Sequence, residues 1–246
     1  MNTTDTVQGK LTEPKPSTGT QVRGLLSCDD PLAYLPCAPV LTYNTGDLIY
    51  TEHQPATNLY LVLDGKVKVS RRTDSSEIVM NVYQADEFFG ESSLANSPRR
   101  DEAAVALEHT WLMSWSADQI EETAATRPQL ALALLQLIVR RSVDFETRIE
   151  SFSIETITQR LTRALILFAD RFGSAEPDGS IRMTALTHDF LSRYVGTSRE
   201  IVTQHMSQFR REGYLDYSRS AICLHPKALA EWRRYGTESG LKPGLL

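Results

Sequence analysis

The stretch Leu186-Thr-His-Asp-Phe-Leu-Ser-Arg-Tyr-Val-Gly196-Thr-Ser-Arg-Glu-Ile-Val-Thr-Gln-His-Met-Ser-Gln-Phe209-Arg-Arg-Glu212 decides how this chain is read. Phe190, Leu191, Tyr194 and Val195 recur at helical spacing, which predicts an amphipathic helix. Gly196 follows, the residue that adopts positive φ in a tight turn without steric cost. Ser198 is suited to cap a second helix, its hydroxyl oxygen accepting from an otherwise orphaned N–H. Ile201, Val202, Met206 and Phe209 give that helix an apolar stripe, with His205 expected half-buried at its edge. Gly213 stands where a C′ glycine ends a helix. The pattern is that of a helix-turn-helix, with Arg199 and Glu200 projecting from the N-terminal end of the second helix. That end is where a recognition helix meets base edges in the major groove. Tyr214–Leu224 then alternates and turns at Ser218–Ser220, as a β-hairpin wing would.

Charge is divided along the chain in the same sense. The 246 residues carry a formal net charge of −5, which taken alone argues against a nucleic-acid partner. Residues 181–246, however, hold 10 Lys/Arg against 6 Asp/Glu, whereas residues 1–180 hold 16 against 25. A basic C-terminal part on an acidic body is a nucleic-acid signal. Hydrophobic residues make up 41% and charged residues 23%, ordinary for a folded soluble chain of two domains. Cys28, Cys37 and Cys223 have no C-x-x-C spacing, so reduced thiols are expected and no metal site. The polar N-terminus lacks an apolar signal segment. The longest apolar run, Leu130–Val139, is broken by Gln136 and too short to span a bilayer. A cytoplasmic location without membrane contact is expected.

Upstream, residues 1–24 are polar and expected to be a disordered tail, with a short helix near Pro31–Leu35. From Val40 to Ser116 short β-type runs alternate with turn residues, predicting a small antiparallel β-barrel or jelly roll over residues 25–126. Asp64-Gly65 between Leu59–Leu63 and Lys66–Ser70 predicts a two-residue hairpin, and Ile78–Tyr83 and Thr110–Trp115 further strands. Residues 127–153 predict one long helix. Its seam Ala131, Leu135, Ile138, Ser142, Phe145, Ile149, Phe152 alternates steps of four and three, as a coiled-coil dimer helix does. A second face, Leu130, Leu134 and Leu137, is free to pack on the barrel; burial of both faces within one chain is the alternative. Thr158–Phe172 predicts a further helix, opening a DNA-binding domain over residues 154–235, with a tail at 236–246. The fold class is thus α+β.

β-barrel, long helix, helix-turn-helix and wing in this order resemble the cAMP receptor protein/fumarate-nitrate regulator (CRP/FNR) family of bacterial transcription factors. The resemblance covers roughly residues 25–230. It is carried by Gly46-Asp47, Asp64-Gly65, Phe88-Phe89-Gly90-Glu91, Arg140-Arg141 and, most tellingly, Gly196-x-Ser198-Arg199-Glu200. It implies a homodimer on double-stranded DNA, with Arg199, Glu200 and Gln204 as base readers and Ser198, Thr197 and His188 as phosphate contacts. Chemistry independently suits the readers: Arg forks onto guanine, Glu accepts from cytosine, Gln pairs with adenine. The cAMP-receptor branch has Arg where Gln204 stands, so half-sites related to its GTG core, altered or relaxed at that position, are implied. An activator of this family would also contact RNA polymerase, and the sequence offers no signature for that surface.

The resemblance also locates an effector pocket: Gly90, Glu91, Ser92, Arg99, Arg100 and Phe145. The family's glutamate that holds a cyclic nucleotide's ribose is matched by Glu91. Counting forward without a gap puts Asp101 and Glu102 where an Arg-Ser pair should bind the phosphate; a one-residue shift brings Arg100 into the arginine's place but leaves Asp101 in the serine's. Carboxylates facing a cyclic phosphate repel it. Phe145 stands at the adenine-contacting position. Binding of cAMP in the usual way is therefore not expected. The alternatives are cAMP or another nucleotide bound in a modified pose, a small acid recognised through Arg99 and Arg100, and constitutive action with no effector. Three scattered cysteines fall short of an iron–sulfur ligand set, and His53 and His109 are expected to be structural strand residues, so no cofactor is expected. No His-Glu-x-x-His, Gly-x-Ser-x-Gly or phosphate-cradling loop is present, which argues against an enzyme, and the acidic run Glu87–Glu102 is expected to be a solvated loop. A nucleotide-binding module acting through protein contacts is the competing class.

Overall fold

The computed structural model describes residues 30–73, 76–95 and 98–238, the last five by backbone alone. The expected N-terminal tail and most of the expected C-terminal tail lie outside the described residues. Pro31–Ala33 forms a 3-10 turn capped by Asp30. Eight strands follow: β1 Val40–Tyr43, β2 Leu48–Tyr50, β3 Asn58–Asp64, β4 Val67–Arg72, β5 Glu77–Tyr83, β6 Phe88–Phe89, β7 Ala103–Ala106 and β8 Thr110–Ser116. They make two antiparallel four-stranded sheets, in the orders β1-β8-β3-β6 and β2-β7-β4-β5, rather than a closed barrel. Buried Val62, Val67, Phe89, Ala104 and Leu112 from both sheets share one core.

Two expectations are corrected here. Asp64-Gly65 does not close a hairpin, because β3 and β4 belong to different sheets. Gly65 still has φ +90°, but what it permits is a close crossing: a Cβ there would lie 2.5 Å from the Thr110 hydroxyl. His53 and His109 lie in loops, not strands, and both are exposed. His53 has φ +67°, and the His109 ring accepts from the Trp111 indole at 3.1 Å.

Ser116 opens α1 (Ala117–Thr126) through a capping box with Gln119. Pro128 starts the long helix α2, Pro128–Ile154, as the sequence predicts. Leu130 and Leu134 bury against Leu59, Leu61, Phe88 and Trp115 of the first sheet. Thr156 and Gln159 cap α3, Ile157–Phe172. β9 Ser174–Ala175, β10 Ile181–Thr184, β11 Leu215–Tyr217 and β12 Ala221–Leu224 form a third sheet, around which α3, α4 His188–Val195, α5 Arg199–Arg211 and α6 Pro226–Glu238 pack. α6 runs three residues past the boundary expected at 235. Val79 and Val82 of β5 join this C-terminal core, so the two parts of the chain share buried apolar surface.

Candidate nucleic-acid interface and effector site

The helix-turn-helix is built as its sequence dictates. Thr187 caps α4, accepting from Phe190 N–H at 3.0 Å. Gly196 closes it with φ +74° and ψ +53°. Ser198 Oγ accepts from Ile201 N–H at 3.3 Å and caps α5. At the far end Gly213 N–H donates to the Arg210 carbonyl and Tyr214 N–H to that of Phe209, the paired bonds of a Schellman motif. Val202, Met206 and Phe209 are buried. His205 is half-buried as expected, stacked on Phe209 with ring centroids 6.1 Å apart.

Ser198, Arg199, Glu200 and Gln204 are exposed at the N-terminal end of α5, and Thr197 is half-buried in the turn. Hydrogen bonds from its own backbone N–H and the Ser198 hydroxyl hold the Glu200 carboxyl below the usual carboxylate range, so it stays ionised and accepts only. His188 Nδ1 lies 2.9 Å from Thr203 Oγ1, and its ring meets the edge of Tyr217 at 5.4 Å. Burial, and then the Arg199 charge, push the His188 imidazole below its ordinary pKa. Arg219 is exposed at the wing turn between β11 and β12; wing patterning located that turn without singling out its arginine.

At the other site, Gly90 with φ +83° starts a 3-10 turn, Glu91–Leu94. Arg100 is 1% exposed and its guanidinium donates to Gly90 O and Ser92 Oγ, both at 2.7 Å, and to Asn58 O. It stacks over Tyr50 at 4.3 Å, and its Nε is buried without a hydrogen-bond partner. Asp101 turns to the surface, 75% exposed and 3.7 Å from Arg71. Arg100 is therefore in the site, as the one-residue shift has it, but Asp101, which that shift puts in the serine's place, does not face it. Glu102 does: the Ser92 and Tyr50 hydroxyls each lie 3.4 Å from its Oε1. Burial first, and then the charge of Glu91, raise the Glu102 carboxyl's pKa.

Glu91 pairs with Arg141 of α2 at 2.7 Å, while the Arg141 guanidinium covers the Tyr83 ring at 4.9 Å. Sequence reasoning marked Arg141 as part of the family resemblance but gave it no place in the pocket; helical spacing alone does not say which α2 residue reaches the 3-10 turn. Arg99 does not join Arg100: it is exposed and donates to His53 O at 2.6 Å. Phe145 is half-buried on α2. The acidic run is no solvated loop, since Glu87 pairs with Arg171 at 2.6 Å and Glu91 with Arg141. Among the described residues, no group of His, Cys, Asp or Glu is placed to hold a metal ion.

The model of the cyclic nucleotide-binding domain matches residues 40–127, and that of the Crp-like helix-turn-helix domain matches residues 159–232. The chain belongs to the CRP/FNR family of transcription regulators. A global nitrogen regulator of Synechocystis is 29% identical over 196 residues, 78% of this chain and 87% of that protein. The CRP-like cAMP-activated global transcriptional regulator of Mycobacterium tuberculosis is 28% identical over 181 residues, 73% of this chain and 80% of that protein. Among solved structures, FixK2 from Bradyrhizobium japonicum superposes with a TM-score of 0.70 at 20% identity, covering 81% of this chain and 97% of that one. That last likeness concerns the fold. Within this CRP/FNR chain, no described helix is long and apolar enough to cross a membrane.

Proposed function

We propose that this CRP/FNR protein is a cytoplasmic homodimer that reads a two-fold symmetric DNA operator through α5. The carrying observation is the exposed row Ser198, Arg199, Glu200 and Gln204 at the capped N-terminus of α5, beside His188 and Thr197. Arg199 and Glu200 take base edges, with Gln204 one turn on, while Ser198, Thr197 and His188 hold phosphates. The dimer is supported by α2, which leaves Leu135, Ile138, Val139, Val143 and Ile149 between 37% and 66% exposed along one helix. The expected seam Leu135, Ile138, Ser142, Phe145, Ile149 and Phe152 follows this helix, and Phe152, still 40% exposed, also sets its ring against Gly196.

We further infer that the effector site does not take cAMP in the usual way. Glu102 occupies the neighbourhood of Ser92 beside Glu91, where a cyclic phosphate would meet two carboxylates. A second reading has its own support: the buried Arg100 has no ion-pair partner among the described residues, and its Nε lacks an acceptor. Such a group favours a small anionic effector, a nucleotide in a modified pose included.

Anisotropy titration at fixed salt tests the main reading. A duplex with two GTG-like half-sites should bind at least about 10³-fold tighter than a scrambled duplex, and equal affinities would refute it. Calorimetric titration with cAMP should give no heat of binding, whereas a micromolar isotherm would overturn the effector inference.

A further inference from the structure

Among the described residues β5 is an edge strand, paired only with β4, so its outer carbonyls need donors from elsewhere. Arginines from two helices supply those donors. Arg171 of α3 donates to Val82 O at 2.8 Å. Arg148 of α2 donates to Val79 O at 2.6 Å, to Met80 O, and to Tyr194 O of α4 at 2.9 Å. Successive carbonyls of a regular strand point to opposite sides and cannot share one guanidinium. Here the register slips: Asn81 faces Val69 and Val79 faces Ser70, leaving Met80 as the extra residue of a bulge. The bulge turns both carbonyls onto Arg148.

The third acceptor lies in the last turn of α4, two residues before Gly196, where an orphan carbonyl and the helix dipole both favour a cation. The guanidinium also covers the Tyr194 ring at 4.3 Å and reaches the Phe152 ring at 5.6 Å. Phe152 in turn lies against Gly196, where a Cβ would come within 2.8 Å of the ring. One side chain therefore joins the long helix, the effector sheet and the turn that aims α5.

We propose that Arg148 is the positioning residue for DNA recognition, fixing the direction of α5 relative to α2. This rests on the reading of the protein as a dimer on a symmetric operator. Two copies joined along α2 then hold their α5 helices at one separation, and that separation sets the half-site spacing.

The test is affinity for operators whose half-sites are moved apart or together by one and two base pairs, alongside a duplex with a single half-site. Wild type should favour one spacing by about 10-fold or more. Arg148→Gln should flatten that preference to within about 3-fold, while single-half-site affinity and base preference stay near wild type. Arg148→Lys, which keeps the charge but cannot span three carbonyls, should fall between them and keeps the test open if Gln unfolds the chain. Retention of the full spacing preference by Arg148→Gln would overturn the proposal, as would parallel loss of single-half-site binding. Absence of any duplex preference in wild type would instead sink the dimeric DNA-binding reading itself.

Discussion

Gly196 meets two constraints at one position. Its backbone is left-handed, and the Phe152 ring occupies the space a side chain would need. Gly196→Ala should therefore cost about 1–3 kcal/mol in thermal unfolding, combining strain with a clash against the long helix; an unchanged midpoint would contradict this. Arg199→Ala should weaken operator binding by about 1–3 kcal/mol and relax preference at one base pair. Equal losses on specific and random duplexes would show a phosphate contact instead. His188 adds a pH dependence. Its folded pKa is depressed, so folding stability decreases as pH falls from the unfolded histidine value through the folded one. A nearby phosphate favours the imidazolium, so DNA affinity should rise and the salt dependence steepen by about one ion between pH 7 and about 5.5. His188→Gln should abolish both effects, and their persistence would place the titrating group elsewhere. At this scale the caps and the glycine turn were legible because they are local. The side on which Arg100 and Asp101 fall was not: a one-residue slip in an irregular segment exchanges inside and outside, and only the packed loop decides it.

Among elements, α2 carries two faces, and each was visible as helical periodicity. Leu130 and Leu134 are buried on the first sheet, and the opposite row is left exposed. The double variant Leu135→Asp/Ile149→Asp places charge in the proposed seam without touching the buried face. Sedimentation should show a monomer, and affinity for a two-half-site operator should drop by about 100-fold or more; a persisting dimer would put the interface elsewhere. Asp64-Gly65 shows why short-range signals mislead. The dipeptide specifies a positive-φ turn, and whether the flanking strands pair or part into two sheets depends on long-range partners, here β8 and β7. Phe152, 40% exposed at the end of that row, also sets its ring against Gly196, forty-four residues later in the chain, a contact that helical spacing does not convey.

For the whole molecule, the order of sheet domain, long helix and helix-turn-helix was readable from patterning and from its resemblance to the CRP/FNR family. What patterning could not convey is how the parts are joined. The clamp of Arg148 on a bulged edge strand, the Glu87–Arg171 pair and the Arg193–Glu77 pair all connect residues far apart in sequence. Together they give the helix-turn-helix domain a defined seat on the β2-β7-β4-β5 sheet, while Arg141 ties Glu91 to α2. The most direct measurement of the central claim is selection of duplexes from a random pool by the purified protein, with and without cAMP. Recovery in both arms of one two-fold symmetric sequence, with GTG-like half-sites about one helical turn apart, is the predicted result. Recovery of no common sequence, or of a single asymmetric site, would contradict a symmetric dimer reading DNA through α5.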